Sequence, residues 1–588
     1  MGIFNRLSSN RNQGEVDTTD AETVNGSLDN ESKNYYKIFS KAFSQRDMEK
    51  NNYSTNEIQE YTSEDSDNAS TKYEQTHRKL KSRHIQLIGI GGTIGTGLFI
   101  QIGNGLVKGG PGSLLLAFIA WCIPILCVTS STAEMVSYLP LSSPFIQLAG
   151  RCVDEAFEVM CGWNFFLFEA IMIPFELTAV NVLIHYWRED YSPAIPMVLQ
   201  LVIYFLINVF AVDLYGESEY WMAMGKVILA VGMIIFTFVT MVGGNPQHHA
   251  YGFQFWKDPG SFLEYLSTGS WGRFLGFFAC LTQAAFTIAG PEYISMAAGE
   301  CVNPQKVMPK AFKSVFYRLI TFFILGALSV GIVVSSRDPN LIDAITNGNS
   351  GSAASPYIVG MTRMKINVLP HIVNVLILSS AFSAGNSYVY CSSRTLYGLA
   401  LQGHAPKIFT FCTKKGVPIV AVVFSLAFGF LGFLQLGKTA STVLNWIVNL
   451  VTVSQVINFC TLCVTYVRFY YALKAQGIDR RTLPYRGYFQ PYAAYIGMVC
   501  TFAMMFLAGY PVFVDWDVPT FIFSYIMIPI CVFVFLFWKI VKKTKFKKAS
   551  EVDLFTGLKE IQDHVDSLPP DTKPITWYGK LGAFIKGD

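Results

Sequence analysis

Nine residues, Gly89-Ile90-Gly91-Gly92-Thr93-Ile94-Gly95-Thr96-Gly97, place five glycines inside an apolar run. Glycine at this density resists a continuous helix, because it adds backbone entropy and offers no side chain to pack. Two readings follow. One is close helix packing through small residues. The other is an unwound segment whose following half-helix presents unpaired N–H groups, a ready site for a carboxylate. The run is not a dinucleotide-binding turn, since no strand precedes it and the spacing does not match. A second interruption, Phe286-Thr287-Ile288-Ala289-Gly290-Pro291-Glu292, sets Gly-Pro in mid-run with a carboxylate beside it. Gly95 and Gly290 are expected at positive φ, with any side chain there also filling ligand space. In hydrocarbon, broken backbone and charge persist only where they line a cavity or are covered by protein. A matched pair of broken helices therefore points to a small-molecule site between two structural repeats.

Further charges lie in apolar runs: Glu134, Glu169, Glu176 and Lys226. Glu134 sits where a run ends and reads equally well as an interfacial cap. Lys226 either snorkels to the interface or is a fixed cation beside the first helix. Glu176, two residues after Pro174, has no such interfacial alternative. A buried ionisable group exchanges its proton at a pH unlike its value in water. Glu176, Lys226 and Glu292 are thus the candidates to carry or gate a proton, with Glu134 behind them.

Other chemistries find no residues. There is no nucleophile–base constellation, no phosphate loop and no metal-ligand spacing, so the sequence implies neither enzyme, cofactor nor metal. His248-His249 falls in a polar loop. The twelve cysteines lie mostly in apolar runs, as do Cys122, Cys127, Cys280, Cys460 and Cys531, and read as small hydrophobes. A net charge of +4 gives no reason to expect nucleic acid as a partner.

The elements that must position the breaks are apolar helices. Hydrophobic residues make up 51% of the 588, and charged residues 15%. Half of the charges crowd into residues 1–84 and 539–588. Under a tenth of the residues between are charged, too few to cover a soluble surface of that size. Twelve apolar stretches run from 85–107 and 113–139 to 491–513 and 520–541, each near the roughly 20 residues a spanning helix needs. The polar N-terminal residues cannot bury enough surface to order themselves. The expected organisation is a disordered cytosolic tail over 1–84, a twelve-helix membrane domain over 85–541 and a cytosolic tail over 542–588. Loops on the side of the tails carry Arg151, Lys306, Lys310, Lys313, Arg394, Lys407, Arg468, Lys474, Arg480, Arg481 and Arg486, and the opposite side only a scatter. That bias places both tails in the cytosol.

Four blocks carry a family resemblance: Ile90 to Phe99, Ile173-Pro174-Phe175-Glu176-Leu177-Thr178-Ala179, Glu300-Cys301-Val302-Asn303-Pro304-Gln305-Lys306, and Gly385-Asn386-Ser387 through Arg394-Thr395-Leu396 to Gly403-His404-Ala405-Pro406-Lys407. From about His84 to Phe555 the chain resembles a fungal amino acid permease of the amino acid–polyamine–organocation superfamily. The resemblance implies an all-α membrane protein of the leucine-transporter type, two inverted five-helix repeats plus two C-terminal helices. It implies proton symport of amino acids at the plasma membrane, with trafficking factors acting on the tails. Residues matching Thr93, Gly95, Thr96 and Gly97 hold the substrate carboxylate in that family. Those matching Phe286, Thr287, Ala289 and Gly290 hold its amino end, and Phe286 resembles a gating aromatic. Glu176 matches a functionally important charge, and Lys226 resembles a fixed stand-in for a sodium ion. Stretches such as Trp121-Cys122-Ile123-Pro124 are similar to a branch linked to carnitine uptake and polyamine regulation. Gly290-Pro291-Glu292 departs from the Gly-Thr-Glu or Gly-Ser-Glu usual in the sixth helix. Carnitine or a polyamine then joins amino acids as a candidate substrate. Carnitine's trimethylammonium suits an aromatic wall, for which Phe286 and Trp446 are candidates beside a reading of both as core. A substrate-sensing receptor that signals through its tails, including Asp553-Leu554-Phe555-Thr556-Gly557, is the alternative to a transporter.

Overall fold

A computed structural model describes residues 85–568, apart from 87–88, 90–93, 142, 189, 211, 347–354, 414–415 and 438–439. The expected tail over 1–84 lies outside the described residues. The described chain is helical throughout, with no strand. Eight helices are long and apolar enough to cross a membrane. One of them, Gly97–Tyr138, holds two spans, because the backbone leaves helical geometry at Gly110 (φ 82°). A bent pair, Val518–Tyr525 and Met527–Lys542, makes another span, and the shorter apolar helices Ala194–Phe210 and Tyr492–Leu507 complete the set. The fold is thus an all-α membrane protein of twelve spans with the leucine-transporter arrangement.

In chain order, spans 1 and 2 divide at Gly110 and end at Tyr138. Spans 3 to 6 cover Glu155–Ile184, Ala194–Phe210, Val212–Met241 and Gly269–Glu300. Spans 7 to 10 cover Pro304–Val333, Leu369–Leu401, Ile419–Leu436 and Ala440–Ala475. Spans 11 and 12 cover Tyr492–Leu507 and Val518–Lys542. Several helices outrun their apolar runs. Span 7 begins at Pro304 rather than near 315, and span 8 continues to Leu401, because hydropathy marks the bilayer and not the helix end. Spans 3 and 10 are apolar on all sides and largely enclosed by protein, as a helix surrounded by other helices must be. At Gly109, an added Cβ would lie 2.5 Å from the Gly276 carbonyl, so spans 1 and 6 touch backbone to backbone there. None of the twelve cysteines forms a disulfide, and those at 122, 280, 460 and 531 are buried.

One face of the bundle is closed by the chain's own C-terminal segment, and we refer to it as the tail face. Lys539 and Thr544 bind the Asp154 carboxylate at the start of span 3. The Lys547 amide donates to the Val153 carbonyl (3.0 Å), and Gln476 at the end of span 10 donates to the Val552 carbonyl (2.7 Å). Arg151, on the short helix Pro144–Cys152, donates to the Thr556 carbonyl (2.7 Å) and pairs with Asp553. Burial alone would raise the Asp553 carboxyl. Amide and hydroxyl donors of Thr556, then Arg151, overcome this and hold it below the usual carboxylate value, so it is charged at any cellular pH. Leu554 is fully buried. Helix Leu558–Ser567 then reaches the loop between spans 6 and 7, where His564 meets the Val302 carbonyl and Gln305 donates to Gln562.

Glu134 belongs to this face. It is buried at the end of span 2 and receives a two-pronged hydrogen bond from Arg480, 2.7 Å at each oxygen, and the Gly487 amide at 2.7 Å. The capping reading of Glu134 therefore holds, and the residue ties span 2 to the 10–11 loop. Removing Arg480 strands a buried carboxylate, a loss of about 3–5 kcal/mol. Glu134→Gln leaves an arginine that is 18% exposed and that water can reach. Arg480→Ala is expected to lower the melting temperature of the purified protein markedly more than Glu134→Gln, measured by thermal unfolding in detergent.

Candidate functional site

The backbone bends at Ile94 and Gly95, and the helix resumes at Thr96. Thr93 lies outside the described residues. The Leu98 amide bonds the Gly95 carbonyl (3.2 Å), while the amides just before it have no carbonyl one turn back within the new half-helix. In span 6 the first half-helix stops at Thr287. Ile288 is extended (φ −93°, ψ 97°), Gly290 adopts φ 152°, ψ −43°, and the second half starts at Pro291. Proline fits that first position because its missing amide would bond nothing there. Glu292 folds back so that both carboxylate oxygens lie 3.3 Å from the Gly290 amide. The carbonyl freed at Ile288 accepts from Gln455 of span 10 (3.3 Å).

The two breaks meet. An added Cβ at Gly97 would lie 3.4 Å from the Phe286 ring and 3.6 Å from Thr287 Cα. Between them is a cavity of about 30 Å³, lined by Gly95, Thr96 and Gly97 from span 1 and by Phe286, Thr287 and Ala289 from span 6. That volume holds one or two waters, so an amino acid enters only if the walls move apart. Phe168, Met172, Phe175 and Glu176 of span 3, with Leu98, Tyr293, Tyr388, Val451 and Gln455, form the rest of the wall. Phe175 meets Phe286 edge to face, centroids 5.3 Å apart. Gly290 and Glu292 do not line the cavity. The Thr287 hydroxyl is committed to Gln283, donating to its carbonyl (2.8 Å) and accepting from its amide (3.0 Å).

Glu176 is the charged group of this wall. The Thr96 hydroxyl donates to Oε1 at 2.9 Å, which joins span 3 to the start of the span 1 half-helix. Its other oxygen is buried and, among the described residues, has no hydrogen-bond partner. Gly385 of span 8 presses in from behind, where a Cβ would lie 3.1 Å from that of Glu176 and 2.1 Å from the Tyr204 hydroxyl.

Lys226 is 2% exposed, which overturns the snorkelling reading. It lies 3.8 Å from Glu219, whose carboxylate also receives the Ser383 hydroxyl at 2.8 Å and 3.0 Å. Lys226 does not line the cavity. Sequence reading missed Glu219, although its spacing of seven from Lys226 puts both on one face of span 5, about two turns apart. It also missed Phe168, Phe175, Tyr293, Tyr388 and Gln455, which no local pattern separates from core. Trp446 is not part of the site, for it stacks on Phe523 of span 12 (5.2 Å, 8°). Glu169 is buried two turns from Glu176 outside the cavity. Among the described residues no group of histidine, cysteine or carboxylate side chains could hold a metal.

The glycines at the breaks differ. Gly290 has a positive φ and Gly95 does not, so the expectation of left-handed backbone at both fails for Gly95. There an added Cβ would meet only Glu176 Oε1 at 3.9 Å and Ala384 Cβ at 4.0 Å, ordinary contacts. Gly290→Ala is expected to cost of order 1–3 kcal/mol in backbone strain and to lower the melting temperature. Gly95→Ala should leave the melt unchanged, while the larger Gly95→Val fills the cavity and raises the KM for uptake. Equal melting losses at the two positions would contradict this.

Residues 84–551 match the amino acid permease family. The chain is 50% identical over 502 residues to the general amino acid permease AGP2 of Saccharomyces cerevisiae, covering 84% of each chain. It is 39% identical over 517 residues to a proline-specific permease of Emericella nidulans, covering 87% of this chain and 93% of that one. It is 34% identical over 501 residues to the lysine-specific permease of S. cerevisiae, covering 84% and 81%. These relatives are transporters rather than enzymes. With its twelve spans and paired breaks, the chain belongs to the amino acid permease family, as a multi-pass membrane protein that transports amino acids.

Proposed function

We propose that the chain is a plasma-membrane proton symporter that imports amino acids and related zwitterions or cations, carnitine and polyamines among them. The carrying observation is the Thr96–Glu176 hydrogen bond at the mouth of a half-helix, inside an aromatic wall. The amides at Thr96 and Gly97 suit a substrate carboxylate. Phe175, Phe286, Tyr293 and Tyr388 suit its ammonium, at roughly 0.5–2 kcal/mol for each cation–π contact. The same wall accepts a quaternary ammonium, which donates no hydrogen bond. Relatives named for proline and for lysine share this backbone at 34–39% identity, so selectivity rests on the wall rather than the fold. Broad specificity, as the name of the yeast general permease states for that protein, fits a wall of aromatic surfaces with a single carboxylate.

Glu176 and the Glu219–Lys226 pair are the groups to which we assign proton coupling. Glu176→Gln and Lys226→Met should each abolish accumulation in proteoliposomes against a substrate gradient. At least one should keep counterflow exchange, which needs binding and reorientation but no driving force. Lys226→Met also strands the buried Glu219 carboxylate, so adding Glu219→Gln should recover folded protein without recovering accumulation. Uptake of labelled carnitine, spermidine and amino acids with and without a pH gradient tests the whole reading. Accumulation indifferent to a collapsed proton gradient would remove symport. Binding without any uptake would favour the sensing receptor, which the docked segment around Asp553 and Leu554 would serve as an output.

The tail face is assigned to the cytosol, from the basic residues on its loops. On a Cys412→Ser background, cysteines replacing exposed His249 or Asp258 should react with an impermeant reagent in intact cells. Cysteines replacing Lys310 or Lys407 should react only after permeabilisation. The reverse pattern would invert the topology.

A further inference from the structure

A second cavity, of about 310 Å³, opens on the tail face between the ends of spans 10 and 11. It is far from the paired breaks in sequence and shares no residue with them. Its wall is Tyr470, Lys474, Ile478, Asp479, Arg480, Arg481 and Arg486, four cations against one carboxylate. Two of these charges are spoken for. Arg480 is clamped by Glu134 and lies over the Tyr470 ring, 5.1 Å to the centroid. Asp479, itself exposed, receives the Arg481 amide at its carboxylate (2.9 Å). Among the described residues, the side chains of Lys474, Arg481 and Arg486 form no ion pair, and all three are exposed. Arg480 is therefore neutralised by Glu134, and three exposed cations ring the opening.

The surroundings identify the ligand. Tyr471, Tyr488, Phe489 and Tyr492 stand exposed beside the cavity, Phe489 at 86%. Below them along span 11, Ile496 and Val499 are also exposed. Exposed aromatics above exposed aliphatics mark the level where head groups meet hydrocarbon. A cationic pocket at that level, between helices, suits a phosphorylated lipid head group, and guanidinium forks match phosphate oxygens in pairs. We propose that this cavity binds the phosphomonoester head group of an anionic phospholipid in the tail-side leaflet, with Lys474, Arg481 and Arg486 as its ligands. The aromatic rim favours a lipid over a free phosphate, because only a lipid delivers its phosphate together with an acyl chain to bury against Tyr488 and Phe489.

The test is native mass spectrometry of the full-length protein from nanodiscs of phosphatidylcholine containing phosphatidylinositol bisphosphate or phosphatidylserine. The protein should retain the bisphosphate lipid. Lys474→Gln/Arg481→Gln/Arg486→Gln should weaken retention at least about tenfold, because each basic residue near a membrane surface contributes to holding an anionic head group. Arg480 is kept, so the clamp on Glu134 stands. Arg481→Lys/Arg486→Lys, which keeps the charge but loses the guanidinium forks, should bind between the unaltered protein and the triple variant, and a melting temperature of the triple variant equal to that of the unaltered protein shows that its loss of binding is not misfolding. Equal retention by the triple variant would overturn the site. Preference for phosphatidylserine would overturn the phosphomonoester assignment. Soluble inositol trisphosphate binding the detergent-solubilised protein as tightly as the lipid would overturn the lipid source.

Discussion

Opening a helix in hydrocarbon leaves amides and carbonyls that no solvent will satisfy, and the rest of this molecule is arranged around that debt. Span 1 and span 6 each break once, and the breaks face each other. What they expose is taken up by groups from the same and from other spans. Gln455 of span 10 takes the Ile288 carbonyl, Glu292 turns back onto the Gly290 amide, and Glu176 of span 3 takes the Thr96 hydroxyl. Thr96 and Gly97 border the cavity itself, and in the proposed function a substrate carboxylate would complete what the protein leaves open. Binding and backbone satisfaction are then one physical problem.

Buried charge follows the same rule with a different remedy at each place. Glu134 has an arginine in two-pronged contact and an amide besides, which makes it a rivet. Lys226 has Glu219 at 3.8 Å, a looser contact, and Glu219 leans on Ser383 of span 8. That pair joins span 5 to span 8 in a region where Tyr204 and Gly385 also press against the back of Glu176. A shift in any one of these spans reaches the cavity wall through contacts of 3 to 4 Å.

Much of this was legible in the sequence, and the boundary of legibility is physical. Glycine density and a mid-run Gly-Pro gave both breaks, because breaking a helix is a local property of backbone chemistry. Apolar length gave the spans, since bilayer thickness is a fixed ruler. The aromatic wall was hidden, because Phe168, Phe175 and Tyr388 lie on helices that are apolar all round, where no periodicity tells a cavity side from a core side. Glu219 was missed, although its spacing from Lys226 was in plain view. Trp446 was read as a candidate wall and turned out to stack on Phe523, for the partner of an aromatic is a tertiary fact. The positive φ expected of Gly95 failed because an interruption needs only one residue out of the helical region, and a bend at Ile94–Gly95 achieves it without crossing to the left-handed side.

The C-terminal segment runs across several parts of the tail face. Between Lys547 and His564 it touches the start of span 3, the end of span 10, the helix Pro144–Cys152 and the loop between spans 6 and 7. Its anchors are unequal. Near Leu554 it is fixed by a buried side chain and by the charged Arg151, whereas toward the 6–7 loop it holds by the buried Ile561 and two neutral hydrogen bonds over 3 Å long. The chain turns between the two anchors at Gly557, whose φ is 87°. A displacement of the span 6 half-helix toward the tail face would therefore load the neutral anchor before the ionic one.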